Sequence, residues 1–172
     1  MTKYLGKAEY VKNDKAKNRC QYCNHHPIHF RFLVEIYGRQ VWVGSECASK
    51  LLPDSQVQNI YTDMHTVQEQ LNLQIDKSIV DYVTANKRKI SEAWLNFLAQ
   101  DKTNTLVAKL NNIRECYGEA HYQEVLPDFV WQCKVFSGLK YKVEIQKTHS
   151  PSYRKEAIIF LKKLGFIMEA SP

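Results

Sequence analysis

Residues 20–52 read CQYCNHHPIHFRFLVEIYGRQVWVGSECASKLL and hold Cys20, Cys23 and Cys47 together with His25, His26 and His29. Cys20 and Cys23 are two residues apart, the spacing at which one tight turn offers two thiolates to a tetrahedral ion. Cys47 brings a third thiolate from well along the chain. Between these ligands, Ile28, Phe30, Phe32, Val34 and Ile36 alternate with His29, Arg31, Leu33, Glu35 and Tyr37, which is the period of a half-buried strand. Gly38-Arg39 predicts a turn. Val41 and Val43, set against Gln40 and Trp42, predict a second strand and so a β-hairpin. Gly44-Ser45 closes the hairpin, and Ser45 is the expected N-cap of a short helix with Glu46 in its first turn. Cys47 falls in that same turn, where the helix dipole and a metal both favour thiolate.

A cysteine knuckle, a hairpin and a helix whose first turn donates a ligand resemble the treble-clef zinc fingers. The C-x-x-C, P-I and V-G-S-x-C-A pieces are also similar to a small zinc-binding module of uncharacterised proteins from phages and other mobile elements. The resemblance covers residues 20–52 alone and implies one structural Zn2+ on Cys20, Cys23 and Cys47. Treble clefs take two ligands from each end, whereas the helix end here offers one cysteine, with Ser45 near the place of a fourth. That fourth ligand then comes from a histidine or from water. His26 is the first choice, because it closely follows Cys23 and Pro27 stiffens the exit toward the strand. His25 is the alternative, and His29 is expected on the outer strand face, exposed or packed on an aromatic ring. Three cysteines with one histidine make a recurrent closed, structural zinc composition, while an open position would point to catalysis.

Composition supports a folded chain: 172 residues, 44% hydrophobic and 12% aromatic, enough for one good-sized domain or two small ones. A module as short as residues 20–52 cannot bury enough surface to be stable unaided, so a metal there is physically motivated. The opening MTKYLGKAEYVKNDKAKNR has no apolar core, and no stretch is apolar enough to span a bilayer. The expectation is therefore no signal peptide, no membrane partner and a cytoplasmic location, in a bacterium or an infected host cell. Reducing surroundings favour metal binding over disulfides for the clustered thiols. Cys116 and Cys133 stand apart and are expected to be small buried hydrophobes.

Charge is uneven along the chain. The total is +6, and residues 1–52 hold nine Lys/Arg against four Asp/Glu, a local net of +5. Lys3, Lys7, Lys12, Lys15, Lys17 and Arg19 precede the knuckle, and Arg31 and Arg39 lie on the hairpin. Such a surface suits a phosphate backbone, and equally suits a solvated, solubilising tail.

Beyond residue 52 the pattern turns helical. Val57, Ile60, Met64, Val67 and Leu71 predict an amphipathic helix over 54–75, and Asp76 or Ser78 is the expected start of a second that ends at Lys87-Arg88-Lys89. Ser91 is the expected cap of a third helix carrying Trp94, Leu95, Phe97 and Leu98, and Leu106, Val107, Leu110 and Ile113 predict a fourth that Gly118 ends. Phe129, Trp131, Cys133 and Val135 alternate with Val130, Gln132 and Lys134. After Ser137-Gly138, Leu139, Tyr141, Val143 and Ile145 alternate with polar neighbours, so a C-terminal hairpin is expected over 129–146. Ser150-Pro151 then starts a last helix with Ile158, Leu161 and Leu164 inward and Gly165 as its stop. The fold class expected is α+β: a treble-clef-like basic zinc module over 1–52, a helical region over 53–118, and a ββα region over 119–172 packed with the helices as one domain.

No Gly-rich phosphate loop, nucleophile elbow or H-E-x-x-H helix occurs, so the sequence lacks the marks of the commonest motif-bearing enzymes and offers no catalytic residue. A finger-type nuclease, with His26 or His29 activating water, lacks the acidic or asparagine partner that a hard metal requires. The expected function is non-enzymatic. Its partner is a nucleic acid, or a complex that handles nucleic acid, met through Lys12, Lys15, Lys17, Arg19, Arg31, Arg39 and Trp42, with Tyr22 and Tyr37 as further contacts. The alternative is an inhibitor or adaptor from a mobile element that binds a host protein such as a defence nuclease, in the manner of an anti-CRISPR.

Overall fold

The computed structural model describes residues 2–100, 105–145 and 152–166. It is mixed α+β, with the strands β1 (Thr2–Tyr10), β2 (Phe30–Ile36) and β3 (Arg39–Gly44) at the N-terminal end. The helices are α1 (Ser45–Leu51), α2 (Asp54–Ala85), α3 (Lys87–Ala99), α4 (Thr105–Trp131), α5 (Lys134–Ile145) and α6 (Ser152–Lys163). The chain divides into two compact units, Met1–Asn72 and Leu73–Ser171, so residues 54–72 of α2 belong to the first and 73–85 to the second. The divide therefore lies inside a helix. No helix among the described residues is long and apolar enough to cross a membrane.

In the first unit the three strands form an antiparallel sheet in the order β1-β2-β3. On the expected inner face of β2, Phe32 and Val34 are fully buried and Val43 of β3 joins them, but Leu33, expected on the outer face, is buried as well. The β2-β3 turn is Tyr37-Gly38, one residue earlier than expected, since Ile36 pairs with Arg39. Both turn residues have positive φ, 49° and 79°, as a two-residue loop matched to strand twist requires.

Strand β1 is not among the elements expected from the sequence, where residues 1–19 stand out only by their basic charge. Tyr4 pairs with Val34 and Ala8 with Phe32, so β1 carries two extra residues in a bulge around Gly6, whose φ is 68°. The bulge interrupts the ladder and hides the period of two. Residues 54–72 of α2 secure the strand: Gln56 Oε1 accepts the Tyr4 amide at 2.6 Å, and the Tyr4 hydroxyl donates to Asp63 Oδ2 at 2.6 Å. Burial, then the Asp63 carboxylate beside it, holds the Tyr4 phenol well above the usual range.

The second unit is helical throughout its described elements. Ile79, Val83, Ile90, Val130, Phe136, Leu139, Ala157 and Leu161 make one buried cluster, and Leu95, Leu110 and Leu126 make another. The hairpin expected over 129–146 is absent from the described residues. Residues through Trp131 finish α4 and residues 134–145 form α5, with Phe136 and Leu139 buried one turn apart while Lys140, Tyr141 and Glu144 face solvent. Gly138, expected in a turn, sits mid-helix for a different reason: a Cβ there would overlap the Tyr153 ring of α6.

Two expected helix starts also fall inside helices. Asp76 lies within the continuous α2, fully buried, where Arg154 Nε and the Lys142 ammonium meet its carboxylate at 2.6 and 3.0 Å. Ser91 is buried in α3 with its hydroxyl on the Lys87 carbonyl, and the helix begins after Asn86. Gly118 does end a helical run, at φ 83°, but α4 resumes beyond it to Trp131. Gly165, also at φ 83°, ends α6 as expected, with the Gly165 and Phe166 amides donating to the carbonyls of Lys162 and Leu161. Ser150 and Pro151 lie outside the described residues. Cys116 is exposed and Cys133 half-buried, so the expectation of two buried thiols fails for Cys116 and is met only in part by Cys133.

Candidate metal centre

Three local structures converge on one point of the first unit. The first is the turn that Cys20 begins: the Asn24 amide donates to the Cys20 carbonyl at 2.9 Å, and the Cys20 amide donates to the His25 carbonyl at 3.0 Å. Asn24, at φ 60°, supplies the left-handed residue that lets the chain double back. The second is the end of β3. The third is α1, whose first turn carries Cys47; Gly44 occupies the N-cap position and Ser45 is already helical, one residue later than the cap expected of it. Gly44 lies against Ile28, whose Cγ2 would stand 3.2 Å from an added Cβ, so β3 ends in close contact with the chain leaving the knuckle.

The result is a group of three thiols, Cys20, Cys23 and Cys47, whose sulfurs all lie within 4.8 Å of one another. The Cys47 thiol donates to Cys23 Sγ at 3.3 Å. These separations are too long for a disulfide, whose sulfurs sit about 2.05 Å apart. They suit a shared ion: zinc–sulfur bonds of about 2.3 Å in a tetrahedron put the sulfurs about 3.8 Å apart. Three cysteines this close could hold a metal ion.

Electrostatics at the cluster are asymmetric. Burial opposes charge on Cys20, but the amides of Cys23, Gly44 and Tyr22 and the Cys23 thiol outweigh it and hold Cys20 below the ordinary thiol value. Burial, then the neighbouring Cys23 and Cys20 sulfurs, pushes the Cys47 thiol up to about 12. The thiolate expected from the helix dipole at Cys47 is therefore outweighed by burial and like-charged neighbours. A divalent cation reverses that balance, because a thiol that coordinates it gives up its proton.

A cavity of about 330 Å3 opens beside the cysteines, and His25, His29 and Glu46 share its wall with them. His26, the first-choice ligand by sequence, is exposed and does not line it. Among the described residues no histidine nitrogen joins the three sulfurs within the same 4.8 Å.

The basic loop of residues 11–19 runs directly into Cys20 and is tied at both ends to the lead into β2. The Val11 amide donates to the His29 carbonyl at 2.8 Å, and the Ile28 amide donates to the Asn18 carbonyl at 2.9 Å. Asp14 folds the loop by accepting the Ala16 and Lys17 amides at 3.0 and 3.2 Å. What little desolvation it feels raises its carboxyl, and the Lys17 ammonium with the two amides overrides that and holds it below the usual range. Lys17 is paired with Asp14 at 3.2 Å, whereas Lys12, Lys15 and Arg19 are exposed and have no acidic partner among the described residues.

The other expected contacts separate. Arg39 is exposed beside the hairpin turn, where Tyr37 is 86% exposed, and Tyr22 on the knuckle is 55% exposed. Arg31 and Trp42 are occupied with each other: the Arg31 guanidinium lies 4.2 Å from the Trp42 ring centroid, and its Nε and Nη2 both donate to Glu9 Oε2, at 2.9 and 2.5 Å. Glu9 is a residue of β1, so the strand the sequence hid also neutralises an arginine expected to meet phosphate. Gln21 too escaped the sequence reading. Its amide donates to the Trp42 carbonyl at 2.8 Å and its side-chain oxygen accepts the Trp42 amide at 2.8 Å, which pairs the open edge of β3. Nothing in a lone glutamine signals that role, while the Asn13-Asp14 pair is a turn signal that could have located the loop. No family model matches the chain, and neither curated proteins nor solved structures gave a match.

Proposed function

We propose that this chain is a non-enzymatic zinc protein whose Cys20, Cys23 and Cys47 hold one structural ion, and whose basic loop binds the phosphate backbone of a nucleic acid. The observation that carries this reading is the place of residues 11–19, which run directly into the Cys20 knuckle and are tied through Val11–His29 and Ile28–Asn18 to the strand lead that lines the cavity beside the cysteines. An ion that fixes the knuckle also fixes the loop, and with it Lys12, Lys15 and Arg19. Cations held in place lose less freedom on binding than cations on a loose tail. Arg39 and the exposed rings of Tyr22 and Tyr37 extend the same unit's surface, and such rings are suited to stacking on unpaired bases. Thiolates favour zinc over the hard cations used for phosphoryl chemistry, which supports a structural ion over a catalytic one.

Fluorescence anisotropy with labelled single-stranded and duplex oligonucleotides, DNA and RNA, across a salt series tests the reading. Each phosphate contact should contribute about 0.9 to the negative slope of log affinity against log salt on duplex DNA, and about 0.7 on a single strand. Absence of binding at low salt, or binding indifferent to salt, would remove it. A second reading, a protein-binding inhibitor or adaptor, is favoured by Tyr37, a large ring held out into solvent at the hairpin turn. It predicts that Tyr37→Ala abolishes capture of a protein partner from nuclease-treated lysate and leaves oligonucleotide affinity unchanged.

A further inference from the structure

We infer that His25 supplies the fourth ligand and closes the centre with three cysteines and one histidine, an inference that rests on the metal reading above. Three thiolates leave one tetrahedral position open, and a group can fill it only from the cavity beside the sulfurs. His25, His29 and Glu46 line that cavity and His26 does not. The backbone brings His25 there for a definite reason. Its carbonyl accepts the Cys20 amide at 3.0 Å and Asn24 turns the chain back at φ 60°, so residue 25 is bound directly to the loop that carries the first ligand.

The rivals are held differently. The His29 carbonyl is engaged by the Val11 amide and the preceding Ile28 amide by Asn18, while the Ile28 side chain is seated on Gly44. His29 is thus fixed in the lead into β2, outside the loop that is closed onto the first ligand. Glu46 offers a hard carboxylate to an ion already chosen by three soft thiolates, where an imidazole nitrogen is the better match. His25 has an exposed side chain on the short loop that its own carbonyl closes onto Cys20, so packing does not hold its ring away from the cavity it lines.

Cobalt substitution of the full chain separates these assignments. Wild-type protein loaded with Co2+ should show the absorption of a tetrahedral centre with three sulfur ligands and one nitrogen. His25→Ala should weaken the metal by more than about ten-fold in competition with a chelator, a floor set by the effect of losing a mere supporting group. His25→Cys should restore binding with the sulfur-to-metal band altered to that of an all-sulfur centre, a readout that misfolding cannot imitate. His26→Ala and His29→Ala should keep the wild-type spectrum. Wild-type spectrum and affinity in His25→Ala, or their loss in His29→Ala or His26→Ala with His25→Ala intact, would overturn the assignment and leave a bound metal standing. A wild-type chain that takes up neither cobalt nor zinc would instead overturn the metal reading itself.

Discussion

The two units of this chain both have a buried core, and they differ in what orders the chain outside it. The second draws its order from packing: Phe136, Leu139, Ala157 and Leu161 are buried together, and Phe160 meets Trp94 and Phe136 edge-to-face at 5.1 and 5.7 Å. Its buried carboxylate, Asp76, is met by both Arg154 and Lys142. The first unit buries Phe32, Val34 and Val43 under its sheet, and residues 11–29, which have no regular structure, are anchored in that core at Val11 and Ile28 and otherwise ordered by backbone bonds around the cysteine cluster. Where packing supplies stability, polar groups can be few and internal. On the reading proposed above, the knuckle between the Val11 and Ile28 anchors is left to turn chemistry and an ion.

The strongest way to break that contrast is to remove a thiol. Cys47→Ser or Cys20→Ser should abolish metal binding and, since apparent binding energies of structural zinc reach about 10–16 kcal/mol, should unfold residues 11–29 with the knuckle. Hydrogen exchange should show faster amides at Val11, Asn18 and Ile28 in the variant, while amides of α5 and α6 keep their protection. Uniform loss across both units would erase the distinction. Acid should act in the same direction as the mutation. Protons compete for the thiolates, so metal is retained at neutral pH and released as pH falls, a titration readable with a zinc dye.

Asp76 probes the opposite unit. Asp76→Ala leaves Arg154 and Lys142 without their carboxylate and should cost about 3 kcal/mol, read by denaturant unfolding, with metal content unchanged. Gly138→Ala should cost about 1–3 kcal/mol by driving a methyl into the Tyr153 ring, and Tyr153→Ala combined with it should not show the sum of the two losses. A neutral effect of Gly138→Ala would place α5 and α6 further apart than described.

Smaller effects sharpen the loop. Replacing Lys12, Lys15 and Arg19 singly by Ala should each lower the salt slope of nucleic-acid binding by about 1 at most, while Arg31→Ala, already paired with Glu9, should leave the slope nearly unchanged. Asp14→Asn should speed exchange of the Ala16 and Lys17 amides. Because the Asp14 carboxyl is held below its ordinary value, its stabilising contribution is present above that ordinary value and lost as pH falls through the lowered one. The difference from Asp14→Asn should therefore disappear in acid.

The pieces legible in the sequence were those whose period had one interpretation. Phe32, Val34, Val41 and Val43 could alternate only as a hairpin, and the two ends of the cysteine pattern met as their spacing required. Strand β1 was hidden because its bulge at Gly6 breaks the ladder between Tyr4 and Ala8. The stretch 129–146 misled because Val135, Phe136, Leu139 and Val143 satisfy a helical period while Leu139, Tyr141 and Val143 satisfy a strand period, and burial against α6 decides between them. Asp76 and Ser91 looked like caps because their polarity has local uses, and in the folded chain their partners are Arg154 and the Lys87 carbonyl. Closeness to Cys23 in the sequence favours His26, whereas in the fold His25 is the one of the pair that lines the cavity.

The most direct test of the central claim is the metal content of the full chain purified without chelators, measured by elemental analysis and native mass spectrometry together with thiol titration. One zinc per chain, lost in Cys23→Ser, with Cys20, Cys23 and Cys47 shielded from a thiol reagent until a chelator is added, is the result this account predicts. A metal-free chain whose residues 11–29 remain protected while all three thiols react freely would contradict it.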